Sequence, residues 1–129
     1  MKNLLTSILF GLLLTNCQTQ NLSLTNVEWK LIMLNGTDYS TLTKPVTLTL
    51  SPDSNAAGHA GCNRYFSSYT QSGSALSFGN MGATKMYCIE TMKVEDAFLK
   101  ALGEVDGYLL TGNKLQLLQG ETVLLEFTQ

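Results

Sequence analysis

Charged side chains are scarce in this chain of 129 residues. Asp, Glu, Lys and Arg together make up 14% of it, against about 25% in an ordinary soluble domain. The eight basic residues are scattered and form no cluster, and the formal net charge is -2. Because phosphate backbones are bound by concentrated basic surfaces, we expect no nucleic acid partner. Ser, Thr, Asn and Gln supply the polarity instead, which is typical of exported β-proteins.

Histidine and recognisable catalytic motifs are also in short supply. His59 is the only histidine and precedes Cys62 by three residues, which in a strand places the two side chains on opposite faces, about 10 Å apart. A thiolate nucleophile needs a neighbouring base, so this pair predicts no thiol enzyme. Gly-x-Ser-x-Gly, Ser-x-x-Lys and Gly-rich phosphate-binding motifs are absent. We expect no catalytic residue, and a pair of carboxylates that converge in the fold is the open alternative.

Metal-binding patterns are missing as well. A structural zinc site takes four nitrogen or sulfur ligands, usually as two close pairs, but the chain has no Cys-x-x-Cys or His-x-x-x-His spacing. Its acidic residues form no calcium-loop pattern either. We therefore predict no metal and no cofactor, and we expect His59 to be an exposed or hydrogen-bonded loop residue.

Near the N-terminus, the apolar run from Leu4 to Leu14 has eleven residues, too few to span a bilayer, which takes about 20 in a helix. The run suits a secretory signal peptide. The sequence Leu-Thr-Asn-Cys that ends at Cys17 looks like a lipobox, although Asn16 departs from the usual small residue. We predict a signal peptide over residues 1–16, a lipidated Cys17 and a tether over residues 17–25. The alternative is an ordinary secretory signal.

Gln18 follows the predicted lipidated residue at the position where inner-membrane lipoproteins usually carry Asp. We therefore expect a lipid-anchored protein of the bacterial outer membrane that faces the periplasm. Several acyl chains on one N-terminus hold a protein at a membrane much more firmly than a single chain does.

Three cysteines are an odd number, which needs an explanation in an exported protein. A lipid on Cys17 leaves Cys62 and Cys88 as a pair, and exported compartments are oxidising. We predict a disulfide between them. Two buried free thiols are the alternative.

Alternating apolar and polar residues predict several short strands over the rest of the chain. Trp29 lies on the apolar face of the first one and is predicted to be core. We interpret residues 57–70 as one strongly bent strand, because glycine often marks a bend. Three strands with tight turns between them are expected at the C-terminus, with the sequences DGYLL, KLQLL and TVLLEF.

One helix is predicted over about residues 90–102, from four apolar residues at helical spacing, Val94, Phe98, Leu102 and Val105. Thr91 is the expected N-cap, and Glu95 lies near the positive end of the helix dipole. The predicted fold class is mainly β (α+β). It is a small, strongly curved antiparallel sheet or barrel of about six to eight strands with one α-helix packed on it.

Residues 24 to 128 resemble the META domain family of HslJ-like heat-shock lipoproteins. The matching segments, in order, are NVEWKLIMLNG, GHAGCNRYFSSY, ALSFGNMGATKMYC and VEDAFLKALGEVDGYLLTGNKLQLL. Beyond the cysteines, the main motif residues are Trp29, Gly61, Asn63, Tyr69, Thr84 and Met86, which are expected to be structural. Tyr87 and Ile89 depart from the pattern, since Ala and often Pro are expected beside the second cysteine.

The resemblance implies a META-like domain over residues 26–129 with a non-enzymatic role in outer-membrane stress tolerance or antibiotic resistance. We expect a monomeric binding or structural module anchored to the membrane by its lipid, with an envelope protein or a small apolar ligand as partner. One alternative is a protein-interaction module that pilots or inhibits another envelope protein. The other is a hydrolase with unmarked carboxylates.

Overall fold

The computed structural model describes residues 23–129, so the predicted signal peptide, Cys17 and most of the predicted tether lie outside the described residues. The described chain contains ten strands and one helix. The strands are β1 (Trp29–Leu34), β2 (Thr37–Asp38), β3 (Thr47–Leu50), β4 (Asn55–His59), β5 (Arg64–Ser72), β6 (Ala75–Phe78), β7 (Gly82–Ala83), β8 (Gly107–Thr111), β9 (Lys114–Gln119) and β10 (Thr122–Thr128). The helix α1 (Met92–Gly103) lies between β7 and β8 in the sequence.

Eight of the strands close into an antiparallel barrel. Their order is β1-β3-β4-β5-β6-β8-β9-β10, and β10 pairs with β1 to complete the circle. The two-residue strands β2 and β7 add to the edges of β1 and β5. The predicted fold class, a mainly β structure with a curved antiparallel sheet or barrel and one packed helix, is confirmed.

Large apolar side chains fill the interior of the barrel. The helix contributes Phe98, whose ring meets Tyr65 edge-on at 5.4 Å and Phe127 at 6.4 Å between centroids. Each fully buried aliphatic or aromatic side chain stabilises the fold by about 1.5–3 kcal/mol. The largest of them are Trp29, Tyr65, Phe98, Phe127, Leu34, Leu48, Leu50, Leu76, Leu102, Leu115, Leu117 and Leu125.

Two tyrosines of β5 hold β3 in place from inside the barrel. The hydroxyl of Tyr65 donates to the carbonyl oxygen of Thr47 at 2.7 Å, and that of Tyr69 donates to Ser51 at 2.6 Å. Burial raises the pKa of Tyr65, so its phenol stays neutral and remains a donor. The motif residue Tyr69 is therefore a structural residue of the barrel wall.

The chain enters the barrel at the Leu50 end of β3. The N–H of Asn26 donates to the carbonyl oxygen of Leu50 at 2.9 Å, and further on the N–H of Leu31 donates to Val46 at 2.8 Å. At the opposite end of β3, the N–H of His59 donates to the side-chain oxygen of Thr47 at 3.0 Å. The turn between β4 and β5 thus lies at the other end of β3 from the point where the chain enters.

The interpretation of residues 57–70 as one bent strand is wrong. The segment forms a hairpin, in which His59 at the end of β4 pairs with Arg64 at the start of β5. Gly61 has a φ of 125°, a conformation that side chains disfavour. This glycine lets the chain reverse, and the N–H of Ala60 closes the turn on the carbonyl oxygen of Asn63 at 2.8 Å.

The helix also differs in detail from the prediction. It begins at Met92, and Thr91 makes no side-chain capping hydrogen bond. The four predicted apolar residues are all buried. Glu95 lies in the first turn, near the positive end of the helix dipole as predicted, and is buried at 3% exposure.

Gly58 allows β3 and β4 to approach closely, and its replacement by alanine tests this contact. A Cβ at position 58 would lie 2.1 Å from the carbonyl oxygen of Thr47, so the backbone must shift. We expect Gly58→Ala to lower the free energy of unfolding by about 2 kcal/mol, the usual cost of overpacking, as measured by urea denaturation. Gly103→Ala is the matched control, because a Cβ there meets no atom within 4 Å. Equal midpoints for the two variants would contradict the close approach.

Candidate functional site

A disulfide joins the β4–β5 turn to the segment that leads into the helix. The sulfurs of Cys62 and Cys88 are bonded, and their Cα atoms are 5.7 Å apart. Both thiols are consumed by this bond, so neither is a nucleophile or a metal ligand. Within residues 23–129, no three His, Cys, Asp or Glu side chains are grouped so that they could hold a metal ion.

Asn63 anchors the same segment through its side chain. Its amide nitrogen donates to the carbonyl oxygen of Met86 at 2.9 Å, and its amide oxygen accepts from the N–H of Met86 at 2.8 Å. The amide therefore pairs with Met86 as a neighbouring strand would. The amide oxygen also accepts from the hydroxyl of Thr84 at 2.9 Å, and the amide nitrogen donates to Glu95 at 2.8 Å. The side chain of Asn63 thus makes all four hydrogen bonds that an amide can form.

Glu95 completes this arrangement from the helix. One carboxylate oxygen accepts from the N–H groups of Cys62 and Asn63 at 3.2 and 2.6 Å, and the other accepts from the Asn63 amide. Gly61 lies against the start of the helix, 3.4 Å from the carbonyl oxygen of Thr91 when a Cβ is placed on it, and it is its positive φ that favours glycine at this position. We call these residues, Gly61, Asn63, Thr84, Met86 and Glu95, the Asn63 cluster.

Every member of this cluster except Glu95 is a motif residue of the family that the sequence resembles. Four predicted motif residues come together in it, Gly61, Asn63, Thr84 and Met86, the last through its backbone only. Two others, Trp29 and Tyr69, lie elsewhere in the core. A signal for Glu95 was present: it lies three residues before Phe98 and seven before Leu102, on the apolar stripe of the helix. A carboxylate on such a stripe must find buried donors.

The Asn63 cluster and the disulfide together hold an exposed apolar segment. We call residues 84–91 the disulfide loop. Three of its large side chains point into solvent, Met86 at 61% exposure, Tyr87 at 77% and Ile89 at 86%. Their backbone is fixed by the bonds at Met86 and Cys88, so the structure presents these side chains on a rigid support.

A groove of about 890 Å³ runs beside the disulfide loop. The groove is lined by Lys44, His59, Cys62 and Glu90, among others. A second groove of about 550 Å³ continues over the outer face of β3 and β4 and is lined by Lys44, His59 and Arg64 among others. The two grooves share Lys44 and His59, so together they form one surface that runs from the disulfide loop onto the outer wall of the barrel.

Comparison with known proteins identifies relatives of the chain. A model of the META domain family matches residues 22–129. An NMR structure of a protein from Burkholderia xenovorans is similar, with a TM-score of 0.64, 33% sequence identity, and coverage of 81% of this chain and 82% of that one. A second NMR structure has a TM-score of 0.62 at 20% identity, over 78% and 86% of the two chains, and shows the shared fold alone. No curated protein matches.

Among the described residues, no helix has the length and apolar character needed to cross a membrane.

Proposed function

Since this chain belongs to the META domain family, we propose that it is a non-enzymatic binding module, and that it binds another envelope protein through the disulfide loop. The observation that carries this proposal is the exposure of Met86, Tyr87 and Ile89 on a loop that is fixed by covalent and hydrogen bonds. Apolar side chains that are exposed together usually mark an interaction site.

The filled interior of the barrel favours a protein partner over a small apolar ligand. A ligand of drug size needs an enclosed apolar pocket of about 300–1,000 Å³, but the interior is occupied by side chains such as Trp29, Phe98 and Phe127. The grooves beside the disulfide loop are open on one side. An open surface with protruding Tyr and Met side chains has the composition of a protein interface.

The rigidity of the loop supports the same proposal. Binding costs free energy for each side chain and segment that must be ordered. Here the Asn63 amide holds the backbone of Met86, and the bond to Cys62 holds Cys88. A partner would meet a preformed surface, so little of the binding free energy would be spent on ordering the loop.

The hydrolase alternative finds no support in the position of the carboxylates. Glu95 is the buried acidic side chain of the described residues, and its two oxygens accept three hydrogen bonds from the β4–β5 turn. The three donors explain why the carboxylate of Glu95 is buried, and they give it a structural role. We therefore propose no catalytic role for it.

We further propose that a lipid on Cys17 anchors the protein to the outer membrane on its periplasmic side, where it contributes to envelope stress tolerance. The support for this location is the lipobox-like sequence that ends at Cys17 and the Gln18 that follows it. The test is the distribution of Cys17→Ser between membrane and soluble fractions. Retention of this variant in the membrane would contradict the anchor.

Site-specific photo-crosslinking in intact cells tests the protein partner. A photoreactive phenylalanine derivative at position 87 should form a discrete protein adduct, because this side chain is at the centre of the exposed loop. The same derivative at position 109 is the control, since Leu109 is also an exposed apolar residue, at 51%, but lies on β8. The adduct at position 87 should disappear when Ile89→Asp is added.

Two results would contradict the proposed function. One is the same set of adducts at positions 87 and 109, which would indicate random collisions. The other is the absence of a protein adduct at position 87 in cells that contain the folded protein. Folding of each variant is checked by its urea midpoint.

A further inference from the structure

The only arginine and the only histidine of the chain are direct neighbours on the barrel. His59 ends β4 and Arg64 begins β5, and the two are paired across the antiparallel ladder. Side chains at such positions project from the same face, with their Cβ atoms about 5 Å apart. Both line the 550 Å³ groove, together with Lys44.

The ring of His59, which lines this groove, is held by a hydrogen bond from the β4–β5 turn. Its Nδ1 accepts from the N–H of Gly61 at 3.3 Å. A neutral imidazole that accepts at Nδ1 carries its hydrogen on Nε2. With Nδ1 as the acceptor, Nε2 is the remaining N–H donor of His59.

The groove has an excess of positive charge in an acidic protein. Lys44 and Arg64 are its permanent cations, and Glu28 is the carboxylate in its lining. The other carboxylates that accept hydrogen bonds in the described chain take them from backbone N–H groups or from neutral side chains, not from these two cations. These carboxylates are Asp38, Glu95, Asp106 and Glu126. Among residues 23–129, no side-chain hydrogen bond joins Lys44 or Arg64 to another residue, so within this part of the chain both cations are available to an acceptor from another molecule.

We propose that this groove binds a carboxylate of the partner, so that the segment recognised at this end of the barrel is an acidic peptide with apolar residues beside its acidic one. The inference rests on the proposed function. The apolar loop and the cationic groove are joined through Lys44 and His59, so one extended segment can contact both. Its apolar side chains lie against Tyr87 and Ile89, and its carboxylate lies at Arg64.

Charge and geometry favour a carboxylate. A guanidinium fork matches the two oxygens of a carboxylate and can bind both at once. Within the 550 Å³ groove, one carboxylate also balances the single positive charge that remains when Glu28 is set against Lys44 and Arg64. Glu90 lines the larger groove, so the proposed carboxylate belongs at Arg64 and not beside the disulfide loop. A membrane phosphate is the competing anion, and the experiment below separates the two.

The test selects peptides from a displayed library of random dodecapeptides on the full-length lipidated protein in nonionic detergent. Enriched peptides are synthesised, and their affinities are measured by fluorescence anisotropy. We expect them to contain Asp or Glu beside apolar residues, and to bind Arg64→Gln about tenfold more weakly, as for the loss of a charge-assisted hydrogen bond. Lys114→Gln, which changes a lysine on β9, should leave the affinity unchanged.

A matched change in the peptide locates the contact. Replacing its acidic residue with the corresponding amide should also weaken binding about tenfold, and the amide peptide should bind Arg64→Gln no more weakly than it binds the unchanged protein. Additive losses would show that the two groups do not meet and would overturn the inference.

The outcomes also distinguish the inference from the function on which it rests. Peptides that lose affinity for Tyr87→Ser but not for Arg64→Gln support the interaction module and overturn the carboxylate site. A library that yields no peptide dependent on either residue overturns both. The third outcome concerns membrane phosphates and is measured in the Cys17→Ser background. If Arg64→Gln sediments less with phosphatidylglycerol vesicles but binds the peptides unchanged, the cations bind membrane phosphates and the inference is overturned.

Discussion

Asn63→Ala is expected to lower the free energy of unfolding by about 3–5 kcal/mol, because it removes four hydrogen bonds at one buried position. The largest loss falls on Glu95, which is 3% exposed and cannot easily reach water. Glu95 keeps its carboxylate buried with one donor fewer, and the N–H and C=O of Met86 lose the amide that pairs with them. A polar network of this kind is costly when it is only partly satisfied.

Urea denaturation of Asn63→Ala measures this loss, with Asn55→Ala as the matched control. Asn55 is an exposed residue at the start of β4, so the same chemical change should alter the stability by no more than about 0.5 kcal/mol. Similar midpoints for the two variants would show that the Asn63 cluster does not stabilise the fold. Glu95→Gln is a second variant for the same measurement and should also be destabilised. It keeps the volume of the side chain but turns one acceptor oxygen into a donor that faces other donors.

Removal of the disulfide should cost about 3 kcal/mol. The bond spans a sequence separation of 26 residues, and closing a loop of this length restricts the unfolded chain by roughly that amount on the chain-entropy estimate. The comparison is between Cys62→Ala/Cys88→Ala and the unchanged protein, both without reductant. Dithiothreitol should destabilise the unchanged protein by a similar amount and leave the double variant unaffected.

Thiol counting gives an independent measure of the same bond. In the Cys17→Ser chain, unreduced and denatured protein should react with no thiol reagent, and reduction should release two thiols. Two reactive thiols before reduction would contradict the disulfide. They would also reopen the question of a reactive cysteine beside His59.

The sequence predicts those elements whose signals are local. The helix is recognisable because Val94, Phe98 and Leu102 recur at its period, and the C-terminal strands are marked by their turns. The disulfide follows from the number of cysteines once Cys17 is assigned to the lipid. In each case the evidence lies within one segment or in a simple count.

The rest depends on contacts between distant segments. Residues 57–70 alternate as a strand would, and the turn at Gly61 is stabilised by Glu95, more than thirty residues away. In β1 the pairing with β10 shifts between Leu31 and Met33, so that Leu34 is buried where simple alternation would bury Met33. Hydrogen bonds from a distant residue to a turn, and a bulge within a strand, produce no periodic pattern in the sequence. The candidate site is built largely from such contacts.

The direction of the strands has a consequence for where a bound partner and the N-terminal segment lie on the barrel. The polypeptide joins the barrel beside Leu50, while the β4–β5 turn and the disulfide loop lie past the opposite end of β3. The length of β3 thus separates the disulfide loop from the point of entry. A partner bound at this loop and the segment that carries the proposed anchor would occupy opposite ends of the barrel and would not compete for the same surface.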